Sequence, residues 1–267
     1  LLVAPFPLGF GSKFFAVVVL TGMVGVGASF VAQPPELVIY EQFRSPEYQQ
    51  SFERVIYAPV PYSPKDYLRD QGDTGFITPG FEHYFGTEEN GADVLSRMIH
   101  ASRIALGIGF VATGIAMVIG VVLGGLMGYY SGIADIIGMR LVEIFEAIPT
   151  LFLLLAFVAF FGRSLYIMMV IIGLTSWPGF ARYIRAEFLK LRQQDYIQAA
   201  VVAGLPVRSI LFRHMLPNGM APVLVAASFG VASAILAEAT LSFLGLGLVD
   251  APSWGQMLNQ AVQSSAF

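Results

Sequence analysis

Long apolar runs separated by short polar stretches set the pattern of this chain. Phe14 to Ala32 is uncharged for 19 residues behind Lys13, and Ile104 to Met127 is uncharged for 24. Leu165 to Ala181 and Gly219 to Leu248 continue the series, the last interrupted only by Glu238. A helix needs about 20 apolar residues to cross a bilayer, so each run predicts a span. A further span is placed over Ile136 to Phe161, where Arg140, Glu143 and Glu146 recur at three-residue spacing and share one face close to an interface. Pro149 predicts a local kink within it. The first helix, placed over residues 10–32, reads as a retained span: its apolar stretch is long for a signal peptide, and no small-x-small cleavage site precedes Gln33-Pro34-Pro35.

Residues 33–102 are different material. Prolines at 34, 35, 46, 59, 61, 64 and 79 and many acids leave no persistent period, which predicts a loop-rich extramembrane segment packed by its own aromatics. A docking surface is the second reading. Its last part, Thr87 to Arg103, predicts a capped amphipathic helix along the membrane surface, with Val94, Met98 and Ala101 on one side. Residues 103–267 then form the main bundle. Within its first span Ala112, Ala116, Gly120, Gly124 and Gly128 repeat every four residues. Apolarity alone holds helices together weakly inside lipid, so such a ladder predicts close helix packing at Gly120, Gly124 and Gly128.

Between the fourth and fifth runs lies a charged island, 182–218. Arg182, Arg185, Lys190, Arg192, Arg208 and Arg213 stand there against Glu187 and Asp195. Positive residues stay on the cytoplasmic side, which puts the island inside and Gln33 to Asn90 outside. Asp195 to Ala203 predicts a short helix stopped by Gly204. Pro206 suits the first position of a second short helix, closed by Pro217. Two helices meeting at a glycine make a stiff knuckle, and Ala199 and Ala200 predict a face flat enough for another protein to approach.

Composition agrees with a membrane protein: 56% of the 267 residues are hydrophobic and 12% charged, against about 25% charged in soluble domains. A net charge of −3 gives no nucleic-acid signature. The absence of cysteine excludes disulfides and thiolate metal sites. His83, His100 and His214 are far apart, with no metal-binding spacing, so no metal is expected. No phosphate-binding GxxxxGK[ST] loop is present, Gly11-Ser12-Lys13 being only an echo, and no GxSxG elbow occurs. Any ATP chemistry must come from elsewhere, and no enzyme activity is expected.

Gln198-Ala199-Ala200, Gly204 and Leu216-Pro217 resemble the EAA loop of bacterial ABC importer permeases, whose pattern is E-A-A, three residues, G, nine residues, I-x-L-P. Gln198 replaces the usual Glu, and His214 stands at the Ile position. GTEENGADVLSR (Gly86 to Arg97), Gly128-Tyr129-Tyr130-Ser131-Gly132, Ile148-Pro149-Thr150, AEATLSFLGLG (Ala237 to Gly247) and Pro252-Ser253-Trp254-Gly255 are similar to the oligopeptide and dipeptide branch. Ala92 takes the place of the usual Arg.

That resemblance implies an all-α polytopic bundle of the type I ABC importer permease kind, with a loop-rich periplasmic insertion. Five spans are counted, and the resemblance implies a sixth beyond the C-terminus; the chain opens on Leu1 and reads as a piece of a longer one. The implied partners are a second homologous permease, two ATPase subunits carrying ATP and Mg, a periplasmic solute-binding protein and membrane lipid. Asp195, Gln198, Ala199, Ala200, Gly204, Leu216 and Pro217 would contact the ATPase. Glu143, Glu146 and Glu238 are the polar candidates for pathway or gate. A proton-driven secondary transporter relaying through Glu143 or Glu146 is the rival reading.

Overall fold

The computed structural model describes residues 40–54, 56, 58–248 and 251–264, so the helix expected over 10–32 lies outside the described residues. Among the described residues the structure is helical, with one isolated bridge between Thr87 and Asp93. In chain order the helices are α1 (Tyr40–Arg44), α2 (Pro46–Gln49), α3 (Val94–Tyr130), α4 (Gly132–Ala147), α5 (Thr150–Phe161) and α6 (Leu165–Leu191). They continue as α7 (Asp195–Val202), α8 (Val207–Ser209), a π turn (Ile210–Met215), α9 (Leu216–Phe243) and α10 (Trp254–Gln263). Among the described residues three stretches are long and apolar enough to cross a membrane, Val94–Tyr130, Leu165–Leu191 and Val207–Phe243. A fourth is reached if α4 and α5, bent by 78°, count as one broken span. The chain divides into two compact units, residues 108–237 and, among those described, 40–107 with 238–264.

The first unit is built on a seam between α3 and α6. A Cβ on Gly120 would sit 2.5 Å from the Phe180 Cβ and 2.8 Å from the Trp177 carbonyl oxygen. One on Gly124 would collide with Ile184 and with the Ala181 backbone, and one on Gly128 would lie 2.6 Å from the Phe188 Cβ. The ladder continues at the other end, where a Cβ on Gly173 would lie 2.9 Å from the Ala112 carbonyl oxygen. Absent side chains let the backbones touch, and dispersion across that contact substitutes for the hydrophobic effect that lipid does not supply.

Three expectations are corrected here. Pro149 does more than kink its span. Ile148, forced out of the helical region by the proline that follows, takes φ −91°, ψ 121° and ends α4 outright. Next, α6 does not stop at Ala181. It runs ten residues further to Leu191, because Ile184, Phe188 and Leu191 fall on its buried face while the Arg, Glu and Lys between them favour helix. Finally, Pro217 does not close a helix. The chain passes through the π turn into α9, with Pro217 exposed in its first turn. The wider turn receives the Leu216 N–H on the Leu211 carbonyl, which makes room for a residue that has no N–H of its own.

In the second unit, α3 begins at Val94 rather than 87 and continues without a break into the apolar run, so there is no separate surface helix. Asp93 sets the start: its Oδ1 accepts the Ser96 N–H at 2.7 Å, and its Oδ2 lies 2.8 Å from His83 Nδ1. His83 stacks on Tyr62 at 4.5 Å, and Ser96 Oγ donates to the Tyr62 carbonyl at 2.7 Å. Further out, Arg44 grips both Asp66 and Asp70. That hydrogen bond holds the Asp70 carboxyl below the usual carboxylate range, and the two acids push the Arg44 guanidinium up. Polar bonds therefore fix the loop segment more than its aromatics do. Phe43, Tyr48 and Phe52 meet edge to face, while Phe76, Phe81, Tyr84 and Phe85 are exposed.

Candidate functional site

The knuckle has two sides because of its helical period. Ile197 and Ala200 of α7, three residues apart, turn inward with Ile210 and Met215 of the π turn, and all four join the hydrophobic core of the first unit. Asp195, Gln198, Ala199 and Val202 fall on the opposite face and are exposed, Val202 to 87%. Ala200 is thus an anchor and not part of the flat outer face that its position beside Ala199 suggests. Leu216 is half-buried.

Gly204 sets the angle. The Leu205 N–H donates to the Ala200 carbonyl at 3.1 Å and the Gly204 N–H to the Val201 carbonyl at 3.0 Å, the paired bonds of a Schellman cap. This geometry holds Gly204 at φ +72°, a left-handed conformation that costs a residue with a Cβ about 1–2 kcal/mol. Pro206 then caps α8 from the position before the helix (φ −64°, ψ 143°), one step earlier than its expected first-turn place. Its carbonyl accepts the Ser209 N–H at 2.8 Å.

Side-chain bonds tie this end of the unit together. Arg185 of α6 holds Asp135 of α4 through two nitrogens, and Arg192 donates to Ser131 Oγ between α3 and α4. Gln198 Nε2 donates to the Arg192 carbonyl at 2.7 Å, linking the face of α7 to the last turn of α6. Asn218 Nδ2 donates to the His214 carbonyl at 2.6 Å, beside the proline. Sequence reasoning missed these cross-links. Asp135 is fifty residues from Arg185, and only the turn at Ser131-Gly132 brings them together.

Each of the three acids proposed for a pathway already has a partner. Glu143 is exposed and ion-paired to Arg140 one turn away, and Glu146 pairs with Arg182 of α6. Glu238 belongs to the other unit, where it is fully buried and accepts a bond from Ser242 Oγ at 2.5 Å. The same region shows a close approach: a Cβ on Gly255, in the first turn of α10, would overlap the Ala239 carbonyl. Among the described residues no three His, Asp or Glu side chains gather to hold a metal.

Residues 120–267 match the binding-protein-dependent transport system inner membrane component family. The chain belongs to this family. The permease is therefore a multi-pass protein of the inner membrane. It is similar to the dipeptide transport system permease protein of Alkalihalophilus pseudofirmus, 36% identical over 209 residues, 78% of this chain and 68% of the relative. The oligopeptide transport system permease protein of Haemophilus influenzae is 38% identical over 178 residues, 66% of this chain and 57% of the relative. An inner membrane ABC transporter permease protein of Escherichia coli K12 is 39% identical over 183 residues, 68% and 54% of the two chains. The chain thus spans 54 to 68% of the length of these relatives.

Proposed function

We propose that the permease is the membrane subunit of an ABC importer that moves di- or oligopeptides handed over by a periplasmic binding protein. A second homologous permease completes the path, and two ATPase subunits supply ATP and Mg. In this reading the loop 195–217 seats in an ATPase groove and turns ATPase closure into alternating access.

The observation that supports this most is the two-sided knuckle. Its outer face offers Val202, Leu205 and Phe212 to a partner, while Ile197, Ala200, Ile210 and Met215 are built into the bundle core. A push on such a tip moves the helices behind it, whereas a flexible linker would absorb the motion. The dipeptide and oligopeptide names of relatives support the substrate class. A further relative, a glutathione transport system permease protein of Pectobacterium atrosepticum that is 38% identical over 204 residues, fits a small peptide equally well.

The proton-relay reading through Glu143 or Glu146 is weaker, because each acid is engaged in an ion pair, Glu143 with Arg140 and Glu146 with Arg182. Transport by the full-length assembled complex in vesicles separates the two readings. Uptake is expected with ATP and no proton gradient, and uptake driven by a proton gradient after ATP depletion would sink the ABC reading.

A further inference from the structure

In the first unit, α3, α6 and α9 enclose a cleft of about 380 Å3. It opens at mid-length on each helix. Thr113 stands 19 residues from the start of α3 and 17 from its end, Gly179 stands 14 and 12 residues from the ends of α6, and Gly230 stands 14 and 13 from the ends of α9. No charged side chain lines it; Thr113, Ser176, Tyr183 and Ser233 supply hydroxyls.

Two features of this cleft have no structural use within the chain. Thr113 is 94% buried by its 6% relative exposure, and its Oγ1 has no hydrogen-bond partner. Hydroxyls in helices normally donate back to the carbonyl four residues earlier, as Ser228 does to Leu224 and Ser233 to Phe229. Thr113 does not, although an unpaired polar group at this depth is costly. It stands at the cleft wall, with Oγ1 3.5 Å from where a Cβ on Gly230 would be. Gly179 is the second feature. A Cβ there would meet nothing within 4 Å, and its φ is not in the left-handed region, so neither crowding nor backbone conformation calls for glycine. A glycine inside a helix is destabilising relative to alanine. What it provides is an open cleft floor, where another backbone can come close.

We propose that this cleft is a station for the backbone of the translocated peptide, which it holds through amide hydrogen bonds to Thr113 and its neighbouring hydroxyls over the bare Gly179 floor. The proposal rests on the peptide-importer reading above. Every peptide presents the same amides whatever its side chains, so an uncharged, hydroxyl-bearing cleft suits passage without sequence selection. The lining residues offer no charged partner to a peptide's termini or ionised side chains, which leaves the amides as the groups the cleft can hold.

These 267 residues contain no cysteine, so one placed in the cleft permits a direct test in the assembled full-length transporter once any cysteine elsewhere in the complex is replaced. Gly179→Cys is expected to react with a small water-borne thiol reagent, and trialanine under turnover with binding protein and ATP is expected to slow labelling at least about fivefold. Free alanine is expected to leave it unchanged. Gly179→Leu, which fills the floor, is expected to cut trialanine uptake about tenfold while the second permease and ATPases still co-purify at the wild-type ratio. Thr113→Val is expected to cut it about threefold, as loss of one hydrogen bond implies, and Thr113→Ser to restore it. Unprotected labelling, or wild-type uptake by Gly179→Leu, overturns the proposal. So does loss of the second permease from Gly179→Leu, since the cleft would then be a packing socket. If the wild-type complex does not import trialanine at all, the peptide-importer reading itself fails and this inference goes with it.

Discussion

Gly124 and Gly204 are both irreplaceable, for opposite reasons. At Gly124 there is no room: a Cβ would strike Ile184 and the Ala181 backbone where α3 crosses α6. At Gly204 there is nothing but room, with no atom within 4 Å of a Cβ, yet the backbone sits at φ +72°. The first glycine sells its side chain for helix contact and the second supplies a turn. The seam is therefore a matter of stability and the knuckle a matter of mechanics, and the two should fail in different ways.

The largest effect is expected at the seam. Gly124→Leu forces two backbones apart, and overpacking of this kind costs about 3 kcal/mol or more when main chain rather than a flexible side chain must yield. Little folded permease should be recovered in detergent, as judged by size-exclusion chromatography. A normal yield would mean that the seam is looser than its contacts indicate. Gly204→Val comes next. It strains the Schellman turn without meeting any neighbour, so membrane insertion and yield should stay near wild type while uptake per ATP hydrolysed falls about tenfold or more. Coupled uptake at the wild-type ratio would show that the angle of the knuckle is immaterial.

Ionisable contacts sharpen the contrast, because neither glycine depends on one and the Arg44 clamp does. The folded Asp70 carboxyl titrates below its unfolded value, so its contribution is complete at neutral pH and disappears as pH falls below about 4. Acid, or Asp70→Asn at neutral pH, is expected to raise hydrogen exchange at the Gln71 amide, which bonds to the Leu68 carbonyl at 2.9 Å, after correction for the intrinsic rate. Protection at Gly204 and along the seam should not follow. The smallest effect is expected from Gln198→Glu. It removes the 2.7 Å bond to the Arg192 carbonyl, but the side chain is exposed and a carboxylate can turn to water. Uptake within about twofold of wild type is expected if the shape of the knuckle, and not this one bond, carries the force.

Apolar runs, the four-residue ladder and the glycine stop were legible in the sequence because each rests on local chemistry. A period of small residues can only be a contact face, and a glycine before a proline marks a turn. Less legible were features set by distant partners. The extension of α6 to Leu191 depends on Phe188 and Leu191 finding a core, and the passage through Pro217 depends on a π turn that local propensity does not favour. Ala200 looked equivalent to Ala199 until the helical phase turned it inward. In the same way Glu146 looked like a free acid in an apolar run, because Arg182 lies on another helix. Thr113 left one signal in the sequence, a hydroxyl beside a ladder of small residues, but whether it had a partner was not a local question.

Cross-linking at the tip of the knuckle tests the central claim most directly. These 267 residues hold no cysteine, so in a transporter otherwise freed of cysteine Val202→Cys gives a single reporter on α7, at a side chain that is 87% exposed. In the assembled transporter it is expected to cross-link to an ATPase subunit, and the yield should change when ATP is bound. Absence of any such cross-link in a complex that still imports peptide would contradict the account.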